Sequence, residues 1–189
     1  IRSPFDGLDE SRDKNHLLEQ IWEGASAGDW VVSIDGDEEL EQGGAEVIRA
    51  RLGDEGVAFS LPILYLWDRP DVVRVDGVYG RFERVSIFRL LTRANKLEAT
   101  WCGGHFHCGN VPRIFQSRSR RIPARLLHYG YMDRADRLRK YEWYNRIDPR
   151  NAFEDGYRHM VQGDLPAVPA TARLRHAGPL ELVNLGELQ

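Results

Sequence analysis

The segment Trp30-Val31-Val32-Ser33-Ile34-Asp35-Gly36-Asp37-Glu38-Glu39 constrains this chain more than any other. Five strand-favouring, mostly apolar residues run directly into Asp-x-Asp-Glu. A buried strand is expected over 30–34, with Asp35 and Asp37 at its C-terminal end. In open α/β sheets, ligands bind at that edge. Adjacent carboxylates repel one another unless a cation or hydrogen bonds offset the charge. Hard cations such as Mg²⁺ use one or two carboxylates and leave positions for substrate phosphates. The expectation is therefore a metal-bridged phosphate site with a nucleotide-sugar as its ligand. An acidic turn capping the following helix is the plainer alternative. A calcium loop starting at Asp35 fails at its sixth position, where glycine is needed and Leu40 stands. A phosphatase-type Asp-x-Asp nucleophile lacks an evident hydroxyl and lysine partner.

The surrounding pattern is that of an α/β chain. A helix is expected over Asn15–Ala25, where Leu17, Leu18, Ile21, Trp22 and Ala25 recur at helical spacing, capped by Asp13 or Asn15. A short helix is expected from Ala45 to Leu52 after Gly43-Gly44. Strands are expected over Val57–Trp67, Val72–Val75, Val85–Leu90 and Leu126–Tyr129. Pro62 marks the first of these as an edge strand or a bulge. Asp133 opens a further helix with Asp136 as a capping partner. Leu138, Tyr141, Tyr144 and Ile147 form its apolar side, and Asp148-Pro149 ends it. A last helix is expected over Ala152–Gln162. The organisation expected is one domain over 1–162 and a tail over 163–189, docked through Leu180–Leu185.

With 189 residues the chain is long enough for one sizeable core. Its net charge of −3 gives no case for nucleic-acid binding. The basic stretches Arg113–Arg125 and Arg134–Lys140 suit a solvated surface, or contact with a diphosphate or an anionic acceptor. The only two cysteines, Cys102 and Cys108, are no disulfide framework and fit a reducing, cytoplasmic setting, with peripheral membrane contact as an option. No stretch is long and apolar enough to span a membrane. The start, Ile1-Arg2-Ser3-Pro4, is not a signal peptide and lacks an initiator methionine, as expected for a processed chain or a fragment.

Cys102, His105, His107 and Cys108 invite a zinc reading. If the segment is extended, however, the histidines face one side and the cysteines the other. Histidines lining an acceptor cleft and ordinary packed histidines stay open as readings. His128, between a short apolar strand and Tyr129-Gly130-Tyr131, is competent as a third metal ligand beside two carboxylates.

These residues resemble family 2 glycosyltransferases, which have the GT-A fold. Trp30 to Glu38 is similar to that family's Trp-Val/Ile-Leu-x-Leu/Ile-Asp-Ala-Asp-Glu segment, with Gly36 in place of the usual alanine. Lys14-Asn15 resembles its Arg-Asn pair, and Val85-Ser86-Ile87-Phe88-Arg89 its Arg-Leu-Phe-Arg strand. Leu127-His128-Tyr129-Gly130-Tyr131, followed by Arg137, Lys140 and Tyr141, resembles its closing Leu-His-Tyr-Gly-Tyr and Arg-x-x-Lys-Tyr motifs. The resemblance spans about residues 5–150. It implies a GT-A-like (Rossmann-like) mixed sheet flanked by helices, present here as the C-terminal part of the domain. It implies a metal-dependent, inverting transfer from a nucleotide-diphosphate sugar, UDP-linked by expectation, to a hydroxyl of a glycan, lipid-linked or small-molecule acceptor. Asp35 and Asp37 would meet the ribose and the metal-bound diphosphate. Asp35, Asp37 and His128 would hold Mn²⁺ or Mg²⁺, His128 alternatively contacting the diphosphate, and Lys14, Arg137 and Lys140 would contact the diphosphate. Relatives often carry His-Glu where this chain has His107-Cys108, which leaves Asp76, Glu83 and His107 as candidate bases. The family's first strands, which build the base and ribose pocket, precede the point where this chain starts. A non-catalytic sugar- or partner-binding remnant and a metal-dependent phosphohydrolase are the alternatives.

Overall fold

The computed structural model describes residues 6–53, 56–92, 106–148, 151, 156–166 and 178–188. They form an α/β protein with mixed strand pairing and two compact units. The first unit comprises 1–35, 43–61 and 83–124; the second comprises 36–42, 62–82 and 125–189.

In the first unit, helix α1 (Glu10–Gly24) begins a turn earlier than its apolar spacing suggests, because the cap is Asp9. The Asp9 carboxylate accepts a hydrogen bond from the Arg12 amide at 2.9 Å. That satisfies one of the amides left over at a helix start. Asp13 and Asn15 lie inside the helix. Replacing Asp9 by alanine is expected to cost about 1 kcal/mol of stability, read by denaturant titration; an unchanged midpoint would show that the cap contributes nothing. Strand β1 (Trp30–Val32) pairs antiparallel with β5 (Glu83–Arg89). The first part of β3 (Ala58–Trp67) pairs in parallel with β6 (Ser119–Arg121). Leu18, Ala58, Phe88, Leu90, Val111 and Phe115 form the core, with Ile21, Trp22 and Val31 packed against it. Helices α2 (Gly44–Arg51) and α3 (Arg113–Gln116) complete this unit.

In the second unit the strand order is β2 (Glu38–Leu40), β7 (Leu126–His128), the second part of β3, β4 (Arg69–Arg74) and β8 (Leu182–Asn184). The β3–β7 pairing is parallel and the others are antiparallel. Tyr65 is opposite His128 on one side and Arg74 on the other, so β3 is interior rather than an edge. Pro62 is tolerated there because it falls between the residues that pair with β6, ending at Ser60, and those that pair with β7, starting at Ile63. The acidic run after Asp37 is thus partly strand: Glu38–Leu40 pairs with Leu126–His128.

Helix α4 (Arg134–Ile147) is capped by Asp133, whose carboxylate accepts from the amides of Ala135 and Asp136. Asp136 does not return a capping bond but pairs with Arg139 at 2.7 Å. Of the apolar side expected of this helix, Leu138, Tyr141 and Tyr144 are half-buried, with Tyr144 5.1 Å from the Tyr157 ring. The one fully buried residue of the helix is Arg137, while Ile147 is exposed. A guanidinium with enough partners can be buried where an isoleucine is not, because its N–H groups recover their lost hydration. Of the helix expected over 152–162, Arg158–Val161 is a 3-10 turn, and residues 152–155 lie outside the described set. Among the described residues, no helix is long and apolar enough to cross a membrane.

Candidate functional site

Asp35 and Asp37 belong to different units, and each carries its own network. In the first unit, Asp35 Oδ2 accepts from Arg84 at 2.9 Å and Oδ1 from Asn110 Nδ2 at 3.0 Å. Asn110 also accepts from the Lys14 ammonium at 3.2 Å. Lys14 donates further to the carbonyls of Cys108 at 3.0 Å and Gly109 at 3.1 Å. A lysine has three N–H donors, and all three are spent on this loop. Lys14 therefore acts as a clamp and leaves no donor for a diphosphate. Arg84 and Asn110 were not anticipated from sequence. They lie 49 and 75 residues from Asp35, so no local signal marks them.

In the second unit, Asp37, His128 and Lys140 converge. Lys140 Nζ donates to Asp37 Oδ2 at 2.8 Å, and His128 Nε2 lies 3.9 Å from the same oxygen. Each residue comes from a separate piece of secondary structure. Asp37 precedes β2, His128 ends β7, and Lys140 lies in the second turn of α4. The Asp37 carbonyl accepts from the Tyr129 amide, which ties the two loops together at 2.9 Å. Burial raises the Asp37 carboxyl pKa, but the Lys140 hydrogen bond and the charges of His128 and Lys140 outweigh it, leaving the group below its ordinary value.

Gly130 makes this convergence possible. A Cβ there would stand 2.2 Å from Asp37 Oδ2, 2.3 Å from Lys140 Nζ and 2.5 Å from His128 Cε1. The resemblance includes this glycine, but its steric reason is visible only in three dimensions. Tyr131 stacks on Tyr65 at 5.7 Å and lies 5.0 Å from the His128 ring. Burial, with Tyr79, Tyr144 and Tyr65 nearby, pushes its hydroxyl well above the usual tyrosine value, so it stays protonated at neutral pH.

A buried arginine holds the 129–132 turn in place. Arg137 Nη1 donates to the carbonyls of Tyr131 at 2.7 Å and Met132 at 3.0 Å. Its Nε and Nη2 grip Asp164 at 2.7 and 3.0 Å, and Nη2 also reaches Asp68 at 2.7 Å. All five N–H groups are used, and the side chain is fully buried. Arg137 is thus a positioning residue with no donor left for a phosphate. Asp68 adopts a left-handed backbone, φ 63°, in presenting its carboxylate. Asp is one of the residues that tolerate this region. The guanidiniums of Arg137 and Arg74 lie 4.3 Å and 4.6 Å from the centre of the Trp67 ring.

The candidate bases are dispersed. Asp76 is buried and accepts from Arg74 Nε at 2.7 Å and Nη2 at 2.9 Å, so its oxygens face a guanidinium rather than an acceptor. Glu83, in the other unit, is exposed and pairs with Arg121 at 3.3 Å. His107 is exposed, with φ 62°, and its ring lies 3.8 Å from that of Phe106. The four-ligand zinc reading rests partly on Cys102 and His105, which lie outside the described residues. Burial pushes the Cys108 thiol up.

The donor set around Asp37 does not fit a divalent cation held as expected. The Gly130 amide donates to His128 Nδ1 at 3.1 Å, so neutral His128 carries its proton on Nε2. That nitrogen is then a donor aimed towards Asp37, not a ligand. Lys140 already supplies the cation at Asp37 Oδ2. Among the described residues, no group of three or more His, Cys, Asp or Glu side chains is arranged to hold a metal ion.

No family model matches this chain. Over 139 residues it is 29% identical to an uncharacterized protein of Mycobacterium bovis, and equally to one of Mycobacterium tuberculosis. The match covers 68% of this chain but 32% of each relative, so the chain spans about a third of the length of the curated relatives it matches.

Proposed function

We propose that this chain belongs to a GT-A-type glycosyltransferase and that its Asp37–His128–Lys140 cluster receives the diphosphate of a nucleotide-sugar donor. One observation carries the reading. Three side chains distant in sequence, which the family resemblance assigns to the metal (Asp37 and His128) and to the diphosphate (Lys140), meet around a glycine that leaves room for all three.

The chemistry follows from donors and charge. The Lys140 ammonium has three N–H groups and spends one on Asp37, so it can bridge the carboxylate to phosphate oxygens. As the sugar–phosphate bond breaks, negative charge grows on the leaving diphosphate. Donors fixed in advance stabilise that charge most. Asp37 orients the Lys140 ammonium in a partly buried place. In this arrangement Lys140 supplies the positive charge that a bound cation would otherwise bring.

Calorimetric titration of UDP into the protein in chelator-containing buffer tests this. UDP is expected to bind, and Lys140→Ala to weaken it by about tenfold or more, on the order of 1.4 kcal/mol. Binding left unchanged in Lys140→Ala would overturn the assignment. Binding that appears only with Mn²⁺ and is lost in Asp37→Ala would restore a metal as the cation. A second reading, a non-catalytic sugar-binding module, is favoured by the locked pairing of Asp76 with Arg74. It predicts UDP-sugar binding with no turnover in the presence of any acceptor.

A further inference from the structure

Residues 178–188 join the second unit through their backbone rather than their side chains. None of them is buried, and in β8 only Val183 is as much as half-buried. The 3-10 turn that follows, Leu185–Glu187, buries none. Leu180 and Leu182 stay exposed, at 37% and 39%. The main chain is what is gripped. β8 lies antiparallel to β4, with Leu182 opposite Arg74 and Asn184 opposite Val72. The Val75 amide donates to the Glu181 carbonyl at 3.0 Å, and the Glu181 amide donates to Asp76 Oδ1 at 3.2 Å. At the two ends, Gln162 Nε2 donates to the Gly178 carbonyl and Arg125 Nη1 to the Leu188 carbonyl, each at 2.8 Å. These anchors recognise an extended backbone and not a sequence.

The strand beneath does not depend on this segment. β4 pairs on its other side with β3, Leu66 opposite Val73 and Tyr65 opposite Arg74. Val73 and Arg74 are fully buried. Arg74 is fixed by Asp76, Gln162 and the His159 carbonyl, none of which belongs to the segment. Departure of 178–188 therefore breaks a few hydrogen bonds, each worth about 0.5–1.5 kcal/mol net, and exposes little apolar surface. Openings of that kind lie far below global unfolding in free energy. They leave a row of N–H and C=O groups along β4, which is a template for another strand. In strand addition the main-chain bonds supply the affinity, and here those bonds are already laid out.

We propose that residues 178–188 are a displaceable strap, and that the β4 edge they fill is a docking edge for an extended peptide of a partner. Asp76 takes an amide of the incoming strand, Gln162 and Arg125 take carbonyls at its ends, and an apolar residue occupies the place of Val183.

The probe is a fluorescent peptide of residues 178–188, added to the full chain and read by polarisation. A bound strap lowers the apparent affinity by the fraction of chains in which it is open. Glu181→Pro removes the amide that bonds Asp76 and is expected to bind the peptide about tenfold more tightly than the wild type. Glu181 is exposed, so the variant is expected to keep the wild-type circular dichroism. The bonded pair at Val75 and Glu181 makes Val72 and Asn184 a non-hydrogen-bonded pair, with Cα atoms about 4.5 Å apart, within reach of a disulfide. Val72→Cys with Asn184→Cys is expected to abolish peptide binding when oxidised and to restore it on reduction. Equal affinity of Glu181→Pro and wild type, or peptide binding to the oxidised double variant, would overturn the proposal. Hydrogen exchange tests the strap in the unaltered protein. The Val75 amide, bonded to the strap, is expected to exchange about a hundredfold or more faster than the Ile63 amide, which bonds the Phe82 carbonyl. Equal protection of the two would show that the strap does not open separately.

Discussion

Replacing Gly130 by alanine is expected to abolish UDP binding while leaving the fold in place. The three nearest atoms that a Cβ would meet belong to the Asp37, Lys140 and His128 side chains, at 2.2, 2.3 and 2.5 Å. None is backbone, so the strain is relieved by moving side-chain ends. Each has to retreat by about an ångström or more to reach ordinary van der Waals contact at ~3.5–4.0 Å. That is enough to break the Lys140–Asp37 hydrogen bond and to turn His128 Nε2 away. The stability cost is that of overpacking, about 1–3 kcal/mol, which leaves the protein folded at room temperature. Circular dichroism would confirm the fold and calorimetry would read the binding. Wild-type affinity for UDP in a folded Gly130→Ala protein would rule out this cluster as the diphosphate site.

Arg137 is expected to show the opposite balance. Arg137→Met leaves the Asp164 carboxylate, 8% exposed, without the guanidinium that holds both its oxygens and with only the exposed Arg134, 3.4 Å from one of them. The carbonyls of Tyr131 and Met132 lose a donor at the same time. Removing one partner of a buried ion pair costs about 3–5 kcal/mol, on the order of 10 °C in Tm for a chain of this size. A double variant, Arg137→Met with Asp164→Leu, is expected to recover part of that loss, because it removes the buried charge as well. A residue that contacts the donor diphosphate would behave differently, losing UDP affinity at unchanged Tm. Thermal melts of the two variants separate the roles. An Arg137→Met protein that melts like the wild type would show that the guanidinium is not a buried clamp.

The family resemblance identified Lys14, Arg137 and Lys140 alike as phosphate-binding cations. In the fold only Lys140 stands beside Asp37 with donors to spare. Lys14 holds the 108–110 loop, and Arg137 holds Asp164 and the 131–132 carbonyls. The difference is not in residue type. It comes from partners 94–96 residues away for Lys14, and 27 and 69 away for the Arg137 carboxylates.

Local pattern by itself determined much of the architecture. The β-branched and aromatic stretch of β3, the helical spacing near Leu18 and the Asp133 cap each act over a few residues, and each element formed close to where they indicate, whereas the run expected as a buried strand over 30–34 forms only Trp30–Val32, with Val32 and Ile34 exposed. The motif order also singled out Asp37, His128 and Lys140. Only the tertiary structure decided which carboxylates and cations are spent on one another, why position 130 has no side chain, and why α4 buries an arginine instead of its aliphatic residues. Secondary structure reads the backbone within one or two turns, so a single sequence carries it. The state of a charged side chain depends on which distant groups replace its lost water, and those are known only once the chain has folded.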